Sequence, residues 1–202
     1  MLDRTVKRTD YGPIARWFGR TVMRSLGWKW TGQRPDVSKC VIACAPHTTN
    51  WDLFFTLLAA MALRFPMVFM MKKFWFFWPM GPVFRWLGGI PVDRSKNTNA
   101  VEQMVQAFQE NAQLNLVITP EGTRKDVRYW KTGFYWIAAG AGVPILLGII
   151  NYKKKEAGVG ILVYPTGNLE ADFEIIRDFY EREAGMTPRL RPPDERERQR
   201  TQ

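Results

Sequence analysis

Histidine and cysteine are almost absent from this chain of 202 residues: there is one histidine, His47, and there are two cysteines, Cys40 and Cys44. So small a set of imidazole and thiolate ligands excludes the usual zinc-type cage. No acidic cluster suggests a magnesium site, so no metal is expected. The two cysteines lie on one predicted strand, too far apart along extended backbone for an ordinary disulfide. Buried free thiols in a reducing compartment are the expectation. Long apolar runs are missing as well. Leu53 to Leu63 stops at Arg64, and Phe65 to Leu87 is cut by Lys72, Lys73, Arg85, Pro66, Pro79, Gly81 and Pro82. Neither reaches the roughly 18–20 apolar residues of a spanning helix. The start, Met1-Leu2-Asp3-Arg4, lacks the apolar run of a secretory signal. A membrane, if this chain meets one, is met from its surface.

What is abundant is positive charge and aromatic surface. Apolar residues make up 46% of the chain, which argues for a folded core, and the net charge is +10. Residues 1–34 hold eight Lys/Arg against two Asp/Glu, whereas residues 168–202 hold seven against nine, so the amino-terminal part is the cationic one. Such a bias suits nucleic acid, anionic lipid or a phosphorylated substrate. Nine tryptophans and thirteen phenylalanines, many beside cations, favour a lipid–water interface over a phosphate backbone. No groove-reading or base-stacking motif is present, so nucleic acid is not an expected partner.

From Tyr11 to Leu26 the spacing is helical, with Ile14, Trp17, Phe18, Thr21, Val22 and Ser25 on one stripe and Arg16, Arg20 and Arg24 on another. This pattern fits an interfacial anchor and equally an amphipathic helix packed on its own domain. Beyond it, strands at 40–45, 67–71, 90–92, 114–119, 143–150 and 159–164 alternate with helices at 50–63, 101–112, 130–141 and 169–184. Thr49 or Asn50 is the expected cap of the first of these helices. The alternation predicts an α/β fold with a mainly parallel central sheet flanked by helices, preceded by the amphipathic amino-terminal helical segment. The expected division is a basic membrane-associating segment at 1–34, a folded domain at 35–186 and a disordered tail at 187–202. The aromatic and methionine-rich stretch Phe65–Trp86 reads either as core or as a wall for an acyl chain, and its prolines and charges argue against a wholly buried run, so some of it is expected to meet lipid.

Four strings stand at predicted strand ends. His47-Thr48-Thr49-Asn50-Trp51-Asp52 follows the first strand of the alternating body. Gly88-Gly89-Ile90-Pro91-Val92-Asp93-Arg94, Thr119-Pro120-Glu121-Gly122-Thr123-Arg124 and Val143-Pro144-Ile145-Leu146-Leu147-Gly148 come after it in that order. The single imidazole is the one side chain with an unperturbed pKa near neutrality, and Asp52 is spaced to fix its tautomer. Singly, each string also describes loop punctuation around a strand. Together, in order, they resemble the glycerolipid acyltransferases, specifically the 1-acylglycerol-3-phosphate acyltransferase family, over about Cys40 to Ile150.

The resemblance implies an enzyme that moves a fatty acyl group from acyl-CoA or acyl carrier protein to the hydroxyl of a lysophospholipid-like acceptor, most simply 1-acylglycerol-3-phosphate, with no cofactor beyond the thioester donor. It matches His47 to the catalytic base and Asp52 to its partner, and Arg94 and Arg124 to phosphate-binding arginines. Glu121 is implied to orient the acceptor or brace its loop, Thr123 to add a polar contact, and Gly122 to offer an N–H to the developing oxyanion. Lys72 stands where relatives often carry a lysine. With no spanning helix, the expected place is the cytoplasmic face of the membrane, held peripherally at an anionic surface. A non-catalytic lipid-binding protein on the same fold and an acyl-thioester hydrolase remain alternatives.

Overall fold

The computed structural model describes residues 11–92, 100–123 and 127–192. Seven strands form one sheet in the order β1-β7-β6-β2-β5-β3-β4. They are β1 (Lys29–Thr31), β2 (Lys39–Ala45), β3 (Val68–Lys72), β4 (Gly89–Val92), β5 (Leu114–Ile118), β6 (Ile145–Asn151) and β7 (Glu156–Val163). β6, β2, β5, β3 and β4 are mutually parallel, while β7 returns antiparallel to β6 and β1 pairs parallel with β7. The reversal follows from connection length. Only Tyr152–Lys155 separates β6 from β7, and so short a link permits a hairpin but no crossover. The mainly parallel sheet expected from the alternation is therefore present, with a reversed pair at one edge.

Among the described residues, six α-helices cover the sheet: α1 (Pro13–Ser25), α2 (Trp51–Leu63), α3 (Met80–Trp86), α4 (Ala100–Glu110), α5 (Gly133–Ala141) and α6 (Leu169–Ala184). The pleat of β2 divides the core between the two faces. Val41, Ala43 and Ala45 point to a cluster with Met104 and Phe108 of α4, Phe134 of α5 and Phe173 and Ile176 of α6. Cys40, Ile42 and Cys44 point the other way, toward α2 and α1. Leu87, at the end of α3, packs on that second side too. α2 is apolar around most of its circumference because it is sandwiched between the sheet and α1.

Residues 11–34 pack on the rest of the described chain. α1 crosses α2 so closely that a Cβ at Gly19 would lie 2.8 Å from the carbonyl oxygen of Leu58 and 2.8 Å from Cβ of Met61. Trp28 stacks on Phe55 of α2 at a ring separation of 3.7 Å, and β1 completes the sheet. Small residues on α1 select the packed face, leaving Ile14, Trp17 and Phe18 of the expected apolar stripe outward. Arg20 and Arg24 sit over the ring of Trp30 at 4.9 and 5.1 Å. At the other end, residues 187–192 depart from the expected disordered tail. Leu190 packs against the core, and the Trp130 amide donates to the Arg189 carbonyl at 2.9 Å. Residues 193–202 lie outside the described residues.

The stretch Phe65–Trp86 splits in two. Phe65, Met67, Val68 and Phe69 are core, whereas Phe74, Trp75, Phe77, Trp78, Val83 and Trp86 are exposed on a 3-10 turn (Lys73–Trp75), the link after it and α3. The prolines that argue against a helix here are accommodated: Pro79 precedes α3, and Pro82 falls in its first turn, where backbone N–H groups have no intrahelical partner anyway.

Candidate active site

β2 and β5 are parallel neighbours, but their chains leave in opposite directions. The chain from β2 enters α2 on one face, and the chain from β5 leads to α5 on the other. In open α/β sheets, ligand sites are built outside the carboxyl ends of strands whose connections diverge in this way. His47 lies in the loop leaving β2 and Glu121 in the loop leaving β5. The Glu121 Oε2 atom accepts the backbone N–H of His47 at 2.8 Å. Glu121 is buried, and it braces the loop that presents the histidine.

Asp52 occupies the first turn of α2 and is 3% exposed. Its Oδ2 accepts from His47 Nδ1 at 2.9 Å and from the backbone N–H groups of Thr48 and Thr49 at 2.6 and 2.8 Å. Its Oδ1 accepts from the Thr49 hydroxyl at 3.0 Å and the Tyr152 hydroxyl at 2.6 Å. Burial pushes this carboxyl upward, but the hydrogen bonds from His47, Tyr152, Thr49 and Thr48 outweigh it and hold the group at about 2. Asp52 is therefore an anion at neutral pH. An anionic acceptor on Nδ1 places a proton on that nitrogen and leaves Nε2 with its lone pair free for an acceptor hydroxyl. The His47 ring is 23% exposed, so solvent-borne substrate can reach it. Thr49 also accepts the Trp51 N–H at 3.1 Å. The cap of α2 is thus supplied by Thr49, while the Asn50 side chain makes no capping bond.

Tyr152 is the participant that sequence reasoning missed. It begins the β6–β7 turn, and its ring is held edge-on by Trp28 and Phe55 at 5.2 and 6.0 Å. Burial, with the hydrogen bond to Asp52, pushes its phenol up to about 12, so the hydroxyl keeps its proton as a donor. The only sequence signal is position: Tyr152 directly follows a parallel strand and so stands at the same sheet edge as His47.

The other expected site residues fall as follows. Gly122 is on the β5 loop at a φ of +66°, with Lys131 packed over it. Its N–H donates to the carbonyl of Thr119 at 3.0 Å, closing the turn that shapes the loop. Thr123 is exposed on the same loop. Lys72 ends β3, in register with Val92 of β4, which puts its backbone at the carboxyl edge. Arg94 and Arg124 lie outside the described residues. Neither cysteine competes as a nucleophile, since both are buried and burial pushes each thiol up to about 12.

The family model described as Acyltransferase matches residues 29–147, more than half of the chain. This chain belongs to the acyltransferase family. No curated protein sequence matches it. Among solved structures, the acyltransferase resembles the crystal structure of the 1-acyl-sn-glycerophosphate (LPA) acyltransferase PlsC from Thermotoga maritima. The TM-score is 0.59 with 15% sequence identity, and the likeness covers 84% of this chain and 78% of that one. The two share a fold. The family match spans His47, Asp52 and Glu121, while Tyr152, Asp52's other clamp, falls outside the matched residues of this acyltransferase.

Proposed function

We propose that this acyltransferase esterifies the hydroxyl of a lysophospholipid-like acceptor, 1-acylglycerol-3-phosphate first among the candidates, with a fatty acyl group from acyl-CoA or acyl carrier protein. The observation that carries the reading is the His47–Asp52 pair at the carboxyl edge of the sheet, with Nδ1 fixed by a buried carboxylate and no hydrogen bond to Nε2 among the described residues. His47 Nε2 takes the proton of the acceptor hydroxyl as its oxygen attacks the thioester carbonyl. Asp52 stabilises the imidazolium that forms. The tetrahedral oxyanion collapses, the C–S bond breaks, and the departing thiolate takes the proton from the imidazolium. An ester and a free thiol result, with no acyl-enzyme, in keeping with the inert cysteines. Glu121 holds the His47 loop. Arg94 and Arg124 are assigned to the acceptor phosphate, where the guanidinium fork suits paired oxygens, with Lys72 and Thr123 as further polar contacts. The likeness to the Thermotoga maritima LPA acyltransferase supports this acceptor class.

The place of action in this reading is the cytoplasmic face of a membrane. No helix among the described residues is long and apolar enough to cross one, and the cationic amino-terminal half suits an anionic surface. The test pairs the purified chain with its His47→Ala variant, supplied with palmitoyl-CoA or palmitoyl carrier protein and a panel of lyso-lipids. Thiol release and acylated product are followed together. Acceptor-dependent product that falls at least about 100-fold in the variant is expected. Thiol release without acylated product would instead make this chain a thioester hydrolase.

A further inference from the structure

Charge and exposed aromatics are unevenly divided between the two parts of the chain. Residues 11–92, which build α1, α2 and α3, contain ten Lys/Arg and only two acids, Asp36 and Asp52. Asp52 is buried in the active site, so it contributes no surface charge. From Leu53 to Val92 there is no acid at all. Residues 100–192, which build α4, α5 and α6, hold eleven of each sign. The largest run of exposed aromatics falls in this acid-free stretch. Phe74 is 78% exposed and Trp78 85%, with Trp75, Phe77, Val83 and Trp86 beside them in sequence on the 3-10 turn, the link after it and α3. Scattered exposed apolar side chains are ordinary, but so many large aromatics on one short segment are not.

The segment's position gives the patch an orientation. β3 runs parallel to β5 and so to β2, which means that Lys73–Pro79 leaves the sheet at the edge where His47 leaves β2. The exposed Ile14, Trp17 and Phe18 of α1 lie on the same side of the sheet as α3, beside Arg16. Trp and Phe with cations and without carboxylates are the side chains that settle at the boundary between acyl chains and anionic headgroups. A second copy docking through the same face would set like charge against like, whereas an anionic lipid surface complements it, so anionic lipid is the favoured occupant.

We infer that Phe74–Trp86 is a membrane-inserting element that docks the chain on an anionic bilayer with the carboxyl edge of the sheet, and so His47, beside the lipid surface. The choice of lipid rests in part on the acyl-transfer reading; the geometry and charge do not. Insertion at this edge lets a lyso-lipid reach His47 from the bilayer without crossing water.

The experiment measures co-sedimentation of the full chain with vesicles of phosphatidylcholine and phosphatidylglycerol in equal parts. The variants are a triple, Phe74→Ser with Trp75→Ser and Trp78→Ser, and a control on the opposite face, Trp136→Ser with Ile175→Ser. Circular dichroism checks that each is folded. The triple variant is expected to bind at least about tenfold more weakly and the control as the wild type does. Added salt is expected to weaken wild-type binding without abolishing it, since inserted aromatics are not screened. Wild-type affinity in the triple variant, or equal losses in both variants, overturns the inference. So does a wild-type dimer, seen by sedimentation velocity, that the triple variant dissolves while vesicle affinity is unchanged. Failure of the acyl-transfer reading looks different: no product from any acceptor, with vesicle binding still lost on the triple substitution.

Discussion

Replacing Tyr152 by phenylalanine deletes one oxygen and keeps the ring that Trp28 and Phe55 hold edge-on. The packing cost is therefore small, and the perturbation is the loss of the donor 2.6 Å from Asp52 Oδ1. Oδ1 retains the Thr49 hydroxyl at 3.0 Å, and Oδ2 keeps His47 and the Thr48 and Thr49 amides, so the carboxylate is loosened but not orphaned. A hydrogen bond to a charged group contributes about 1.5–3 kcal/mol, and water entering beside the partly exposed Tyr152 offsets part of that. A net loss of about 1.4 kcal/mol in orienting Asp52 corresponds to roughly a tenfold fall in kcat. Because Tyr152 acts through Asp52, the KM values for donor and acceptor stay as in the wild type. The assay is steady-state acyl transfer with both substrates varied. An unchanged kcat would mean that the hydroxyl does not hold the carboxylate. A raised acceptor KM at constant kcat would mean that Tyr152 touches substrate and is no positioning residue.

Asp52 also links stability to pH. Its carboxyl is held at about 2 against an ordinary 3.8, so its ionised form contributes stability that is fully present above about pH 4 and is lost as pH falls toward 2. Asp52→Asn is expected to flatten that limb of an acid-unfolding curve by about 2 kcal/mol; an unaltered limb would show that the carboxylate is not linked to folding. Gly19→Ala raises helix propensity yet sets a methyl within 2.8 Å of the Leu58 carbonyl oxygen, so its melting temperature is expected to fall, and a rise would refute the close α1–α2 crossing. For Glu121, Gln keeps an acceptor for the His47 amide and Ala does not. Alanine is expected to lower kcat well below glutamine at constant acceptor KM, whereas a matching rise in KM would make Glu121 an acceptor contact.

Much of the fold was legible in the sequence because buried parallel strands and amphipathic helices carry strong periodicity. The helix expected at 169–184 is α6 residue for residue, and the strand expected at 40–45 is β2 extended by Lys39. β1 escaped notice because three residues with two tryptophans nearby show no period, and its partner lies far along the chain. α3 was hidden by Pro79, Pro82 and Gly81, which mark a break unless one knows that they fall before or within the first turn. In the site, the pairing of His47 with Asp52 was readable because both sit in one local string. Tyr152 was not, since its partner is a hundred residues away in sequence and only the sheet brings them together.

The pairing of β1 with β7 has a consequence for how this chain comes to be active. Lys29 is in register with Glu156, so the first strand made waits for the last one before it has a partner. Contacts of such long sequence separation form late and expose their surfaces meanwhile. Trp28, directly before β1, is one of the two rings that hold Tyr152, and Tyr152 opens the turn into β7. Closure of the sheet's far edge and completion of the Asp52 clamp are thus one event. A nascent chain that has built β2 to β6 already carries His47 and Asp52, but it does not yet hold them as the finished molecule does.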